Sequence, residues 1–201
     1  DVLAGKVNPS GKLTMTFPMK YEDTPSAKNW LGTPIENPKE VTYEEGIYVG
    51  YRYFNTFKVK PSYEFGFGKS YTDFSYSDLK LSSATFKNNL KVSVKITNTG
   101  KVSGKEIVEL YLSAPQKLVD KPNAELKAFA KTKELKPGES EIVIMELKPE
   151  DLASFVTAQS SWIAEAGTYK ISIGASSLDV KQSAEFQLNK DIIVKKVQPV
   201  F

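Results

Sequence analysis

"LKVSVKIT", Leu90 to Thr97, alternates without a break. Leu90, Val92, Val94 and Ile96 fall on one face, and Lys91, Ser93, Lys95 and Thr97 on the other. Successive side chains of an extended chain point to opposite faces, so this period of two predicts a half-buried strand. The segment after it, "NTGKVSG" (Asn98–Gly104), reads as a turn. Working outward, the same texture runs both ways. "FSYSDLKLSS" (Phe74–Ser83) precedes it, also at period two. After it come "EIVELYLSA" (Glu106–Ala114), "ELKAFAKTKEL" (Glu125–Leu135), the turn "KPGES" (Lys136–Ser140) and "EIVIMEL" (Glu141–Leu147). "GTYKISIGASS" (Gly167–Ser177), "SAEFQLN" (Ser183–Asn189) and "IIVKKV" (Ile192–Val197) follow, and "KPEDLASF" (Lys148–Phe155) reads as one helical turn with Pro149 near its start. Seven or so short strands with one polar face each, separated by regular turns, predict an antiparallel β-sandwich.

Before Ser70 the texture differs. "DVLAG" (Asp1–Gly5) reads as the last turn of an amphipathic helix, with Val2 and Leu3 toward a core and Gly5 at the left-handed closing position. No earlier turn precedes it, and a helix does not begin at its own end, so we expect the chain to be the C-terminal piece of a longer protein. "KLTMTF" (Lys12–Phe17) alternates and predicts a short strand after the "NPSG" turn. Residues 18–39 carry four prolines and little periodicity, which indicates a long surface excursion. Trp30 lies in it, either as a sugar-stacking ring or, the reading we favour, as an anchor onto the surface beneath. "YEEGIYVGYRYF" (Tyr43–Phe54) then packs five aromatics around Arg52, the single arginine of the chain. Helical spacing puts Ile47, Tyr51 and Phe54 on one face, and Gly46 and Gly50 permit close backbone packing. "YEFGFGKSY" (Tyr63–Tyr71) reads as a turn-rich connector, and the domain boundary falls there: residues 1–70, then 71–201.

Composition narrows the chemistry. The 201 residues contain no cysteine and no histidine, so disulfides, thiolate metal sites and histidine-based triads are excluded. The net charge of +3 is spread without a basic stripe, which argues against nucleic acid. No apolar run is long enough to span a membrane. No metal-ligand spacing or cofactor motif is present, and no metal or cofactor is expected. "GFGKSY" (Gly66–Tyr71) lacks the phosphate-loop spacing, because the position five before Gly68 is Tyr63. Glu44 and Glu45 are adjacent and diverge on either a strand or a helix. They read as acids at a helix N-terminus rather than a catalytic pair. Arg52 indicates a site that uses guanidinium geometry, in a substrate contact or, the reading we favour, a buried structural pair.

The series "GKVNPSGKLTMTFP", "YEEGIYVGYRYF", "YEFGFGKSYTDFSYS", "VKITNTGKVSGKEIVELYLSAP" and "ELKAFAKTKELKPGES" resembles, in that order, the C-terminal part of family 3 glycoside hydrolases, the β-glucosidase and β-xylosidase group. Its texture is closest to bacterial, Bacteroides-like members. The resemblance implies a mainly β fold: a fibronectin type III-like sandwich over 71–201, preceded over 1–70 by the tail of an α/β sandwich domain and a linker. It implies a retaining exo-β-glycosidase as parent, periplasmic or secreted, whose nucleophile lies on an upstream barrel and whose acid/base glutamate lies in the upstream α/β sandwich domain. No catalytic residue is therefore assigned here, and no substrate-binding residue is identified. Partners are those upstream domains and the parent's carbohydrate substrate. Residues 1–70 are expected to pack against the sandwich or to pair with a second copy, with Arg52 pinning a seam of buried aromatics. Two other readings stay open. One is a sandwich that binds carbohydrate through Tyr71, Tyr76, Tyr111, Trp162 and Tyr169, although Trp162 also fits a place beneath the 148–156 turn. The other is a protein-interaction spacer.

Overall fold

A computed structural model describes residues 1–198. In chain order the elements are β1 (Phe17–Pro18), α1 (Tyr51–Thr56), β2 (Pro61–Tyr63), β3 (Phe74–Leu81), β4 (Leu90–Asn98), β5 (Ile107–Ser113), β6 (Glu125–Lys131), β7 (Ser140–Leu147), α2 (Pro149–Leu152), β8 (Ser154–Val156), β9 (Ser161–Ala164), β10 (Gly167–Gly174), β11 (Val180–Leu188) and β12 (Ile192–Lys196). Two antiparallel sheets, ordered β11-β10-β5-β6 and β3-β4-β7, form the sandwich; β12-β9-β8 make a small third sheet and β1-β2 a two-stranded patch.

The opening strand decides the core. Leu90, Val92, Val94 and Ile96 are each 0% exposed. On β7 they meet Leu147, Met145, Val143 and Glu141 in register. The apolar faces of β4 and β7 share one cluster with Val108, Leu110 and Leu112 of β5, Ile171 and Ile173 of β10, and Phe186 of β11. Each such side chain, taken out of water, stabilises the fold by about 1.5–3 kcal/mol. Tyr169 and Phe186 stack in the same core with ring centroids 5.2 Å apart and planes 8° from parallel.

Asn98 ends β4 as a fully buried amide with every hydrogen bond made. Its Oδ1 accepts from the Thr72 hydroxyl at 2.6 Å and from Gly100 N–H at 3.0 Å. Its Nδ2 donates to the carbonyls of Val102 and Leu135, each at 2.8 Å. That satisfaction is what makes a buried amide tolerable.

Several expectations need correcting. The alternation in "FSYSDLKLSS" is interrupted: the β3–β4 register shifts between Ser77 and Lys80. Asp78 takes φ +56° there, and Leu79 N–H donates to Gln182 Oε1 at 2.9 Å instead of to the ladder. This is a β-bulge, and the extra residue resets which side chains face inward. "KLTMTF" is not a strand along its length. It bends at Thr14 and Met15, and only Phe17–Pro18 pair, with β2. Leu13 is tied separately, its N–H to Phe67 O and its carbonyl to Gly66 N–H, both at 2.8 Å. The strands β8 and β9 are absent from the sequence reading because three or four residues show no period. "DVLAG" forms a turn with the hydrogen bonds of a helix-closing motif but no helix: Gly5 N–H bonds Val2 O and Lys6 N–H bonds Asp1 O, both at 2.9 Å, with Gly5 at φ +70°. Val2 and Leu3, expected toward a core, are exposed.

Candidate functional site

The outer face of the β11-β10-β5-β6 sheet is polar by alternation, and the N-terminal arm docks over it. Tyr51 of α1 places its ring 4.8 Å from Phe65 and 5.8 Å from Tyr111 of β5, centroid to centroid. Its hydroxyl oxygen accepts from Leu126 N–H at 2.9 Å. One turn on, Asn55 donates to Ser177 O at 3.1 Å and the Thr56 hydroxyl accepts from Asn123 N–H at 3.0 Å. A six-residue helix is marginal on its own, so this docking is what holds α1. Gly50 supplies its N-cap at φ +53°, a conformation costly for a residue with a Cβ. Nothing lies within 4 Å of a Cβ at Gly46 or Gly50. Backbone angle, not the close packing expected, is therefore what these glycines provide.

Beneath the arm runs a chain of ionisable groups. Lys12 donates to Glu106 Oε1 at 3.0 Å and to Ala175 O at 2.9 Å. The Tyr76 hydroxyl donates to the same Glu106 oxygen at 2.8 Å. Three residues on, in β5, Glu109 accepts the Tyr111 hydroxyl at 2.5 Å. Burial pushes the Glu109 carboxyl up to about 7. The Tyr111 hydrogen bond and the Lys12 charge oppose that rise, and neighbouring Glu106 adds to it. Burial and the adjacent glutamates push both the Tyr76 and Tyr111 phenols far up, so they act here only as donors. At the rim, Asn8 Nδ2 donates to Ser103 O at 2.9 Å, and its Oδ1 accepts from Tyr71 N–H at 2.8 Å.

The glycines of "GFGKSY" are explained by this seam. A Cβ at Gly66 would strike Glu109, and one at Gly68 would stand 2.4 Å from Gly11 O. They allow backbone to lie on backbone and carboxylate; they do not cradle phosphate. Glu44 and Glu45 stand in a loop before Gly50, so the expected helix N-terminus is not there. Arg52 does bridge the seam: its Nη2 lies 2.9 Å from Glu125 Oε1 on β6. The pair is not the buried one expected, since the side chains are 37% and 20% exposed. Ile47, expected on one face with Tyr51 and Phe54, lies before the helix and is exposed, whereas Phe54 is buried.

Trp30 is 60% exposed and anchors nothing beneath it. Its loop closes on itself instead, through Thr33 N–H to Glu40 O at 2.9 Å and Asn29 Nδ2 to Thr42 O at 2.7 Å. Among the sandwich aromatics, Tyr111 and Tyr169 are buried and Tyr76 is turned onto Glu106. Tyr71 is half-exposed, with its hydroxyl donated to Val2 O at 2.8 Å. Trp162 sits on β9 opposite Phe155 of β8, just past α2, with ring centroids 5.6 Å apart.

The seam's other buried charge was not legible in the sequence. Lys121 and Glu165 form an ion pair with side chains 3% and 1% exposed. Glu165 also accepts from Lys117 N–H at 2.8 Å and Leu118 N–H at 3.0 Å. Among the described residues no group of three or more His, Cys, Asp or Glu could hold a metal ion, and no helix is long and apolar enough to cross a membrane.

These features define a class: a two-sheet β-sandwich of fibronectin type III kind with an aromatic arm docked on its outer face. A model of the fibronectin type III-like domain matches residues 106–177, and a model of the glycosyl hydrolase family 3 C-terminal domain matches residues 1–51. The thermostable β-glucosidase B of Acetivibrio thermocellus is 41% identical over 98% of the chain, and a β-glucosidase of Bacteroides ovatus is 43% identical over 93%. The structure of β-glucosidase 3B from Thermotoga neapolitana in complex with α-D-glucose superposes with a TM-score of 0.89 at 50% identity, over 97% of this chain and 27% of that one. Along nearly its whole length the chain corresponds to the C-terminal part of these β-glucosidases, and its first 51 residues match the family 3 C-terminal domain. It spans about a quarter of the length of the curated relatives it matches.

Proposed function

We propose that this chain is the non-catalytic C-terminal scaffold of a retaining exo-β-glycosidase, β-glucosidase-like, that removes terminal β-linked sugars from oligosaccharides. The observation that carries this reading is its alignment along nearly its whole length with one quarter of several β-glucosidases. The seam supports it, because Glu106 and Glu165 are paired with lysines and Glu109 is held by Tyr111, so each carboxylate is committed to a structural partner. Residues 1–70 are read as the tail of an α/β sandwich domain with its linker, and 71–201 as the fibronectin type III-like domain. The nucleophile and the acid/base residue belong to the upstream barrel and α/β sandwich domains of the parent, which is periplasmic or secreted. The experiment is hydrolysis of p-nitrophenyl β-glucoside and β-xyloside by the 201-residue chain beside its full-length parent. Turnover by the parent alone is the expected result. Turnover by the chain itself would overturn the reading and make Glu44 and Glu45 the first residues to substitute.

A further inference from the structure

Trp162 is 43% exposed, yet its position is fixed. β8 and β9 pair Phe155 with Trp162, and the rings meet at 57°, so Phe155 braces the indole from one side. The indole borders two hollows. One, of about 430 Å³, is also lined by Arg52, Asp120, Glu125, Glu150 and Phe155. The other, of about 260 Å³, shares Glu150 and Trp162 and is closed by Val194 and Lys195. The larger falls within the ~300–1,000 Å³ range of small-molecule sites. Its polar groups are held in place: Asp120 Oδ2 accepts the Tyr48 hydroxyl at 2.5 Å, and Arg52 is 2.9 Å from Glu125. A braced aromatic ring costs little conformational entropy when a ligand covers it.

We infer that the furrow across Trp162 binds a neutral β-1,4-linked gluco-oligosaccharide, with one pyranose ring on the indole and its hydroxyls on Arg52, Asp120 and Glu150. The chemistry selects this class. A pyranose with equatorial substituents presents apolar C–H faces above and below and hydroxyls around its edge. The furrow has the complementary layout, an apolar ridge with charged donors and acceptors at the rim. A wholly apolar ligand would strip water from those charges without replacing it. The lining balances three carboxylates, Asp120, Glu125 and Glu150, with three cations, Arg52, Lys121 and Lys127, so it has no net charge with which to recruit a polyanion or a polycation. Whether the parent cleaves glucosides has no bearing on this furrow, so the two readings fail separately.

The chain has two tryptophans, so Trp30→Phe leaves Trp162 as its only indole reporter. Titrating that variant with cellotetraose should give a saturable change in tryptophan emission. Calorimetry should then show Trp162→Ala binding about tenfold or more weaker than wild type. Glu150→Ala, on the exposed rim, should weaken binding several-fold, and it decides the matter if Trp162→Ala does not fold. Overturning results are no emission change up to the solubility limit, an equal change with mannitol at matched concentration, or unaltered affinity in the folded variants.

Discussion

The backbone of Gly66 lies against the carboxylate of Glu109, so that a Cβ at position 66 would stand 2.3 Å from Oε2 and 2.6 Å from Oε1. Gly66 belongs to the arm and Glu109 to β5, so one glycine sets how closely the two can approach. Its φ of +82° adds a second reason for glycine. Gly66→Ala is therefore expected to lower stability by at least about 2 kcal/mol, from overpacking and backbone strain together. Urea unfolding measures it. In a Glu109→Ala background the steric part disappears and the cost of Gly66→Ala should shrink. An equal cost in both backgrounds would assign the whole effect to the backbone angle.

Glu109 also makes the seam sensitive to pH. Its carboxyl is raised from 4.5 to about 7 in the folded chain, with burial the largest cause. Between those values the native state holds a proton that the unfolded state has released. The stability from this group is therefore complete below the unfolded value and is lost as pH rises through the folded one. Unfolding free energies near pH 5 and about pH 8 should differ by an amount that is missing in Glu109→Gln, which keeps an acceptor for Tyr111 but no titration. A pH dependence identical in wild type and variant would remove Glu109 as the source.

Most of the sandwich was legible because alternation survives wherever a strand is long and buried on one side, as in β4 and β7. It failed where a physical cause overrides period two. Asp78 inserts an extra residue in β3, and β8 and β9 are too short to show a period. The seam was legible only in part. Arg52 stood out as the single arginine, and the aromatics around it predicted a join. Glu109 did not stand out, since it occupies the polar face of β5 and looks solvated, and Glu106 lies just before that strand. Only the arm, reaching β5 and β6 through contacts such as Lys12–Glu106 and Tyr51–Leu126, 94 and 75 residues apart in the chain, turns that face inward. Lys121 and Glu165 are 44 residues apart, and no local signal marks them as a pair.

That buried pair supports the third prediction. Burial alone would raise the Glu165 carboxyl; the Lys121 hydrogen bond and the Lys117 and Leu118 N–H groups outweigh it and hold it below its ordinary value. Its contribution is present above the unfolded pKa and is lost as pH falls through the folded one, at acid rather than neutral pH. Lys121→Met leaves Glu165 buried and unpaired, and is expected to cost about 3–5 kcal/mol. Lys121→Met combined with Glu165→Gln should recover much of that loss, because the charge is gone while the amide oxygen still accepts from the Lys117 and Leu118 N–H groups. Thermal unfolding of the single and double variants tests the ordering, and a double variant less stable than the single one would reverse it.

Arg52 yields the smallest predicted effect, for a reason visible in its geometry. The guanidinium reaches Glu125 through one nitrogen at 2.9 Å and remains 37% exposed, while Lys127 lies 3.3 Å from the other Glu125 oxygen. A half-exposed pair with a single contact and a second cation beside it falls in the range of surface ion pairs, about 0–1 kcal/mol. Arg52→Lys should therefore keep most of the stability, because charge rather than a bidentate fork is what the site uses. Arg52→Ala should lower global stability by no more than about 1 kcal/mol, and less in high salt. Its larger consequence should be local. α1 is short and held by its docking, so loss of the pin should raise amide exchange across 51–56 while β4 and β10 stay protected. Hydrogen exchange followed by NMR reads both at once. Equal protection of α1 in wild type and Arg52→Ala would mean that Tyr51, Asn55 and Thr56 hold the arm without it.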